Sequence, residues 1–333
     1  MGKALREERV PGGLIKVLNE IQQGESCLRR RNRDRFLLVF IFGAAIFLSL
    51  SVPASSQSAP DTQTELSTDV ASRLQGQIAN GGTEAKRSAL FEIRNIETAA
   101  ASRIALPALR DKEPIVRATA TASVIFLSPS EAATALLPML NDRSEFVRRE
   151  AAHALGEVGD PSATSSLVRM LQKEKILEVR TAAAMALGKI GDPAAIDNLV
   201  SILKSRVRED DEFLRRSAAR SVGQIAQIER TGTRRVLTPQ NFLPDKFKDL
   251  GPNVTAGKGP SPKFSISVDV LIAVLRNGAE SDDTRREAAF SLGAIGDAKA
   301  VPVLQTFTSA ADPYLAEISR EALLKISRYN SSE

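Results

Sequence analysis

The chain has 333 residues, with 45 Lys and Arg against 40 Asp and Glu, and its hydrophobic fraction of 43% is that of a folded protein rather than a disordered one. It holds one cysteine, Cys27, one histidine, His153, and no tryptophan. Those scarcities exclude an intrachain disulfide and any single-chain site needing two imidazoles, and with two tyrosines a platform for stacking nucleobases has little to draw on.

The chain opens with a basic tail. Residues 1–35 carry nine basic against five acidic residues, so +4 of the net +5 lies there and not in the body. The high pI is therefore no argument for nucleic-acid binding by the folded part. The run from Phe36 to Val52, FLLVFIFGAAIFLSLSV, is free of charge and follows RRRNRDR. Its length lies between a signal-peptide core and a spanning helix. Basic residues before it and acidic ones after it predict the tail inside and the body outside the cytoplasmic membrane. Two readings of 36–53 stay open: a retained anchor, or a signal peptide cut near Ala54 to release the body into the periplasm. Residues 54–65, rich in Ser, Thr, Gln and Pro, read as a linker.

From residue 66 to 328 the chain reads as a repeat domain. FVRREAAHALGEVGDP (146–161) and EVRTAAAMALGKIGDP (178–193) are near copies, followed by FLRRSAARSVGQIAQ (213–227) and TRREAAFSLGAIGDA (284–298). A repeated arginine falls at Arg117, Arg148, Arg180, Arg215 and Arg285, in steps of 31, 32, 35 and 70. Each unit reads as two helices. The first has apolar residues at helical spacing, many of them alanine. Gly159 and Gly191 suit the left-handed position that ends a helix, and Asp160, Asp192 and Asp297 suit the cap of the next turn. The second helix carries a leucine stripe, such as Leu167 and Leu171. One pair cannot bury its stripe alone, so the units must stack into an α-solenoid.

The pattern VRREAAHALGEVGDP and its copies resembles the HEAT-like repeat of the PBS lyase (phycobilin lyase) family. The resemblance implies an all-α, right-handed solenoid of about six to seven two-helix repeats. It also implies a ladder of acidic residues and repeated arginines between units. Asp111/Arg117, Asp142/Arg148, Glu174/Arg180 and Glu209/Arg215 keep the six-residue offset of that ladder. With Ala279 at the acidic place before Arg285, the ladder is expected to weaken there. By the same resemblance the second helices line the concave face. Arg169, Gln172, Asn198, Ser201 and Lys204, between the leucines, are then the candidate protein-binding residues.

The 70-residue step holds an insertion at about 229–265, rich in Pro and Gly, that cannot be a further helical repeat. Its Phe242 and Phe247 fit either a loop pinned by its own phenylalanines or an arm that binds a partner. His153 shares its place in the unit with Met185, Arg220 and Phe290, a variability expected of a helix edge. Asp210-Asp211 and Asp282-Asp283 read as helix caps.

Enzymes share this repeat. Deoxyhypusine hydroxylases hold two irons with several His-Glu pairs, which a chain with His153 alone, followed by Ala154, does not supply. Phycobilin lyase subunits act on cytosolic antenna proteins, whereas this body reads as exported and free of cysteine. No catalytic residue, metal site or cofactor is expected. The reading is a non-enzymatic scaffold or adaptor for protein partners at the outer side of a bacterial cytoplasmic membrane. Its alternative is a lyase-like accessory or chaperone for a cofactor-bearing protein.

Overall fold

The computed structural model of the chain describes residues 66–234 and 261–330. The tail 1–35, the apolar segment 36–53, the linker 54–65 and the candidates Phe242 and Phe247 lie outside the described residues. Among the described residues the regular structure is entirely helical.

Helix α1 (Thr68–Asn80) precedes six two-helix units. These are α2 (Thr83–Ile96) with α3 (Ala99–Ala105), α4 (Pro114–Ser123) with α5 (Pro129–Leu136), and α6 (Glu145–Val158) with α7 (Thr164–Lys173). Then come α8 (Leu177–Ile190) with α9 (Ile196–Lys204), α10 (Glu212–Thr231) with α11 (Ser265–Arg276), and α12 (Asp282–Ile295) with α13 (Val301–Phe307). Helix α14 (Pro313–Asn330) follows the last pair. The first helices stack directly on one another from α2 through α14, so the chain is an all-α solenoid.

Small residues set that stacking. A Cβ added to Gly156 would lie 2.9 Å from the Cα of Ala186 on the next first helix, and one added to Gly293 would lie 2.7 Å from the Cα of Ala322. Two backbones can approach this closely only where one side chain is missing. Serine takes the facing place in three units and ties it down. Ser123 Oγ donates to the Leu90 carbonyl at 2.9 Å, Ser221 Oγ to Ala184 at 2.9 Å and Ser291 Oγ to Ala219 at 2.8 Å. The leucines of both helices, among them Leu155, Leu167, Leu187 and Leu199, fill the layer between and are fully buried.

The helix ends follow from local chemistry. Gly159, Gly191 and Gly296 adopt left-handed φ values of 68°, 79° and 79°. The next residue, Asp160, Asp192 or Asp297, accepts a hydrogen bond from the N–H of Ser162, Ala194 or Lys299. One 3-10 turn then precedes the second helix. Asp211 occupies the cap position of α10, but the other acidic pair differs from expectation. Ser281 caps α12, its side chain accepting from Thr284 N–H, while Asp282 and Asp283 lie inside the first turn.

The two ends of the expected insertion belong to the array. Helix α10 runs on through Thr231, with 20 residues where α6, α8 and α12 have 14. Phe264 is buried in a turn that opens α11. Beyond α10, Arg234 donates to the Val158 carbonyl at 3.1 Å, at the end of α6. Arg230 donates to the Ile295 carbonyl at the end of α12 and stacks on Tyr329, 3.7 Å from the ring centre.

Candidate functional site

Each loop from a second helix into the next first helix carries an acid, and in every such loop but 205–211 one acid faces a cation of the preceding unit. Lys86 meets Asp111 at 2.6 Å, Arg117 meets Asp142 at 2.7 Å, Arg148 meets Glu174 at 2.8 Å and Arg286 meets Asp312 at 2.7 Å. Arg117 and Arg148 also donate to the carbonyls of Asp111 and Asp142, six residues before them. The six-residue offset therefore marks a backbone contact, while the ion pair runs to the following unit.

Two expected members depart. Glu209 lies exposed in a short turn, and Arg180 donates to the Leu171 carbonyl at 3.0 Å instead of to Glu174. The cause is loop length. Residues 205–211 separate α9 from α10 where three residues, 174–176, separate α7 from α8, and the extra residues carry Glu209 outward. The ladder also does not weaken before Arg285. Glu280, one residue after Ala279, reaches Arg215, and both side chains are 2% exposed. Arg215 adds bonds to the carbonyls of Ile202 at 2.8 Å, Leu203 at 3.0 Å and Ser205 at 3.0 Å.

The electrostatics follow the pairing. Burial alone would raise the Asp142 carboxyl, but hydrogen bonds from Arg117 and the Ser144 N–H hold it below the ordinary range. Glu174 is held down in the same way by Arg148 and the N–H groups of Ile176 and Lys175. Asp312 is lowered chiefly by Arg286. Glu287 goes the other way: burial raises it, against the pull of Arg220 at 2.8 Å.

On the face of the second helices, the five binding candidates divide. Gln172 Nε2 donates to Asn198 Oδ1 at 2.6 Å, tying α7 to α9. Ser201 Oγ donates to the Asn198 carbonyl of its own helix. Arg169 and Lys204 are exposed. Arg169 lines a cleft of about 540 Å³ with Asn141, Arg143, Ser166, Lys173 and Lys175. The cations contributed by the adjoining loop were not among the candidates. Their signal in the sequence is the Lys or Arg next to the ladder acids Asp111, Asp142 and Glu174.

On the opposite face, His153 is half-buried in a groove beside Met185 and Phe213. Burial first, and the cations Lys189 and Arg149 next, push its imidazole below the usual range against the carboxylates Glu150 and Glu157. Its place in the unit is not uniformly a helix edge. Phe290 is 4% exposed there, with the Lys325 ammonium of α14 over its ring, whereas Met185 is 38% exposed. Among the described residues no group of three or more His, Cys, Asp or Glu is placed to hold a metal ion. No described helix is long and apolar enough to cross a membrane, and the run 36–53 is outside that statement.

Comparison with known proteins now places the repeat. HEAT repeats match at residues 102–187, 133–223 and 178–237, and a PBS lyase HEAT-like repeat matches at 284–309. Deoxyhypusine hydroxylase-B of Oryza sativa subsp. japonica is 28% identical over 271 residues, covering 73% of this chain and 87% of the relative. Among solved structures, the complex of CpcE and CpcF of phycocyanin lyase from Nostoc sp. PCC7120 aligns with a TM-score of 0.44 at 18% identity, over 84% of this chain and 98% of that one. An engineered protein aligns with a TM-score of 0.47 at 20% identity, over 78% of this chain and 68% of that one.

Proposed function

We propose that this HEAT-repeat solenoid is a non-enzymatic scaffold that holds a protein partner. One observation carries the reading: the recurring chemistry of the repeat, its arginines, acids, serines and glycines, is spent on stacking one unit against the next. What is left for function is the long surface that stacking creates. The apolar run 36–53, behind its basic cluster, supports placing that surface outside the cytoplasmic membrane, anchored or released. The PBS lyase HEAT-like repeat at 284–309 favours, as a second reading, an accessory role toward a cofactor-bearing protein.

Cross-linked affinity capture from envelope fractions tests the scaffold. The intact chain is run beside a chain lacking residues 235–260, a deletion that spares α10, Arg234 and Phe264. A discrete partner held by both forms puts recognition on the solenoid. A partner held only by the intact chain puts it on the insertion. Absence of a partner from both, with turnover of a bilin substrate, overturns the scaffold in favour of the accessory role. Resistance of the protein to alkaline washing of membranes separates anchor from cleaved signal, and recovery in the cytosolic fraction overturns the export reading.

A further inference from the structure

We propose that the cleft on the third unit, between the loop that enters it and the loop that leaves it, docks with its loop edge an extended acidic segment of another protein. The inference rests on the scaffold reading and names the class of partner.

The ladder sorts charge by direction. Asp111 stands between Arg110 and Lys112, Asp142 before Arg143, and Glu174 between Lys173 and Lys175. Read as sequence, these loops are close to neutral. In the fold the acids turn inward onto Lys86, Arg117 and Arg148, leaving their side chains 8%, 10% and 12% exposed. The flanking cations are exposed and form no ion pair among the described residues. Hydrogen bonds from cations and from backbone N–H groups keep the turned-in carboxylates charged, so they stay in place as counterions for the interior rather than for the edge.

The cleft concentrates this effect. Arg143, Lys175, Arg169 and Lys173 meet there, the last two one turn apart on α7. Of its acids, Asp142 and Glu174 are held by the ladder, and Glu145 alone is left to oppose four cations. Asn141 and Ser166 add neutral hydrogen-bonding groups. Potential of one sign in a recess of this kind attracts a carboxylate-bearing chain and aligns it.

Spacing selects the form of the partner. Packed helices lie about 8–10 Å apart, so the loops repeat at that interval along the array. An extended strand advances about 3.3 Å per residue, so carboxylates at every third residue would match successive loops. A nucleic-acid strand fits less well, because no aromatic side chain lines the cleft to stack a base.

The test uses the full chain and a fluorescein-labelled synthetic peptide with Glu at every third position, separated by Ser and Ala. Anisotropy should report binding that weakens steeply as salt rises from about 0.05 M to about 0.3 M. Arg143→Glu combined with Lys173→Glu should weaken it about tenfold or more, while Arg94→Glu, on an exposed part of α2, should leave it unchanged. Circular dichroism checks that the double variant folds; if it does not, Lys112→Glu with Lys175→Glu replaces it. Peptide binding that survives charge reversal overturns the proposal. So does tighter binding, at equal salt, of a mixed-sequence single-stranded oligonucleotide or of phosphatidylglycerol vesicles. A discrete protein captured equally by wild type and double variant overturns the acidic-segment proposal and leaves the scaffold standing. Capture of no protein at all overturns the scaffold itself.

Discussion

The rung between Arg148 and Glu174 and the rung between Arg215 and Glu280 perform the same task in different settings. The first joins residues 26 apart, and its side chains are 17% and 12% exposed. The second joins residues 65 apart, across the insertion, and both side chains are 2% exposed. The pair whose connecting chain is longest is thus the most deeply buried. Adjacency in the array is set by the fit of first helix on first helix, and the length of the covalent path between them matters little. Closing a longer loop adds only about 0.6 kcal/mol per doubling of its length, which one well-made interface offsets.

Acid offers the broadest way to break the comparison. Asp111, Asp142, Glu174 and Asp312 all titrate below their ordinary values of 3.8 and 4.5 when folded. A lowered folded value gives stability that is present above the unfolded value and lost as pH falls through the folded one. Melting temperature followed downward from about pH 6 should therefore drop most steeply below about pH 4, as several rungs lose their charge together. Glu287 has the opposite sign, being raised by burial, and softens the fall slightly. A melting temperature that stays flat to about pH 3 would remove the ladder from the account of stability.

Single rungs sharpen the contrast. Glu280→Ala leaves the Arg215 guanidinium buried without its counterion and should cost about 3–5 kcal/mol. Glu174→Ala leaves Arg148 closer to water and should cost about 1–3 kcal/mol. Chemical denaturation of the two variants measures the difference, and equal losses would mean that burial is not what separates the rungs. Gly293→Ala tests the helix contact itself, since its Cβ would meet the Ala322 backbone at 2.7 Å. A loss of about 1–3 kcal/mol is expected there, against almost none at Gly278, which faces open space. Asp192→Ala removes one cap bond and should cost about 1 kcal/mol, measured by thermal melting beside Asp297→Ala.

Most of the fold was legible because its signals are local. Alanine-rich helical spacing and a Gly-Asp stop act within one or two turns, so the repeat and its two helices can be read directly from the chain. The rungs were less legible because a sequence offset does not state its partner. Six residues separate Asp142 from Arg148, yet Asp142 answers to Arg117. The step of 35 before Arg215 held the clue that Glu209 sits in a lengthened loop. Ala279 stood at the acidic position, but one residue of slack in that loop brings Glu280 to Arg215. The serines at 123, 221 and 291 were hidden for a different reason. They share one register with Ala154 and Ala186, which reads as smallness, and the hydrogen bond appears only once the neighbouring helix supplies its carbonyl. At the candidate surface, Arg169 and Lys204 were legible from the helix face, whereas Arg143 and Lys175 became cationic neighbours only after their adjacent acids turned inward.

The bond from Arg234 to the Val158 carbonyl has a consequence for how the array comes apart. A stack in which every unit touches only its neighbours unravels from an end, one unit at a time, as a one-dimensional chain of coupled sites. Arg234 leaves α10, passes the end of α8 and lands on α6, which adds a coupling between second neighbours. Fraying that starts at the amino-terminal end should therefore stall at α6, and amide exchange there should resemble that of α10 more than that of α4. The segment that interrupts the repeat pattern would then act as a clasp, fusing three units into one cooperative block.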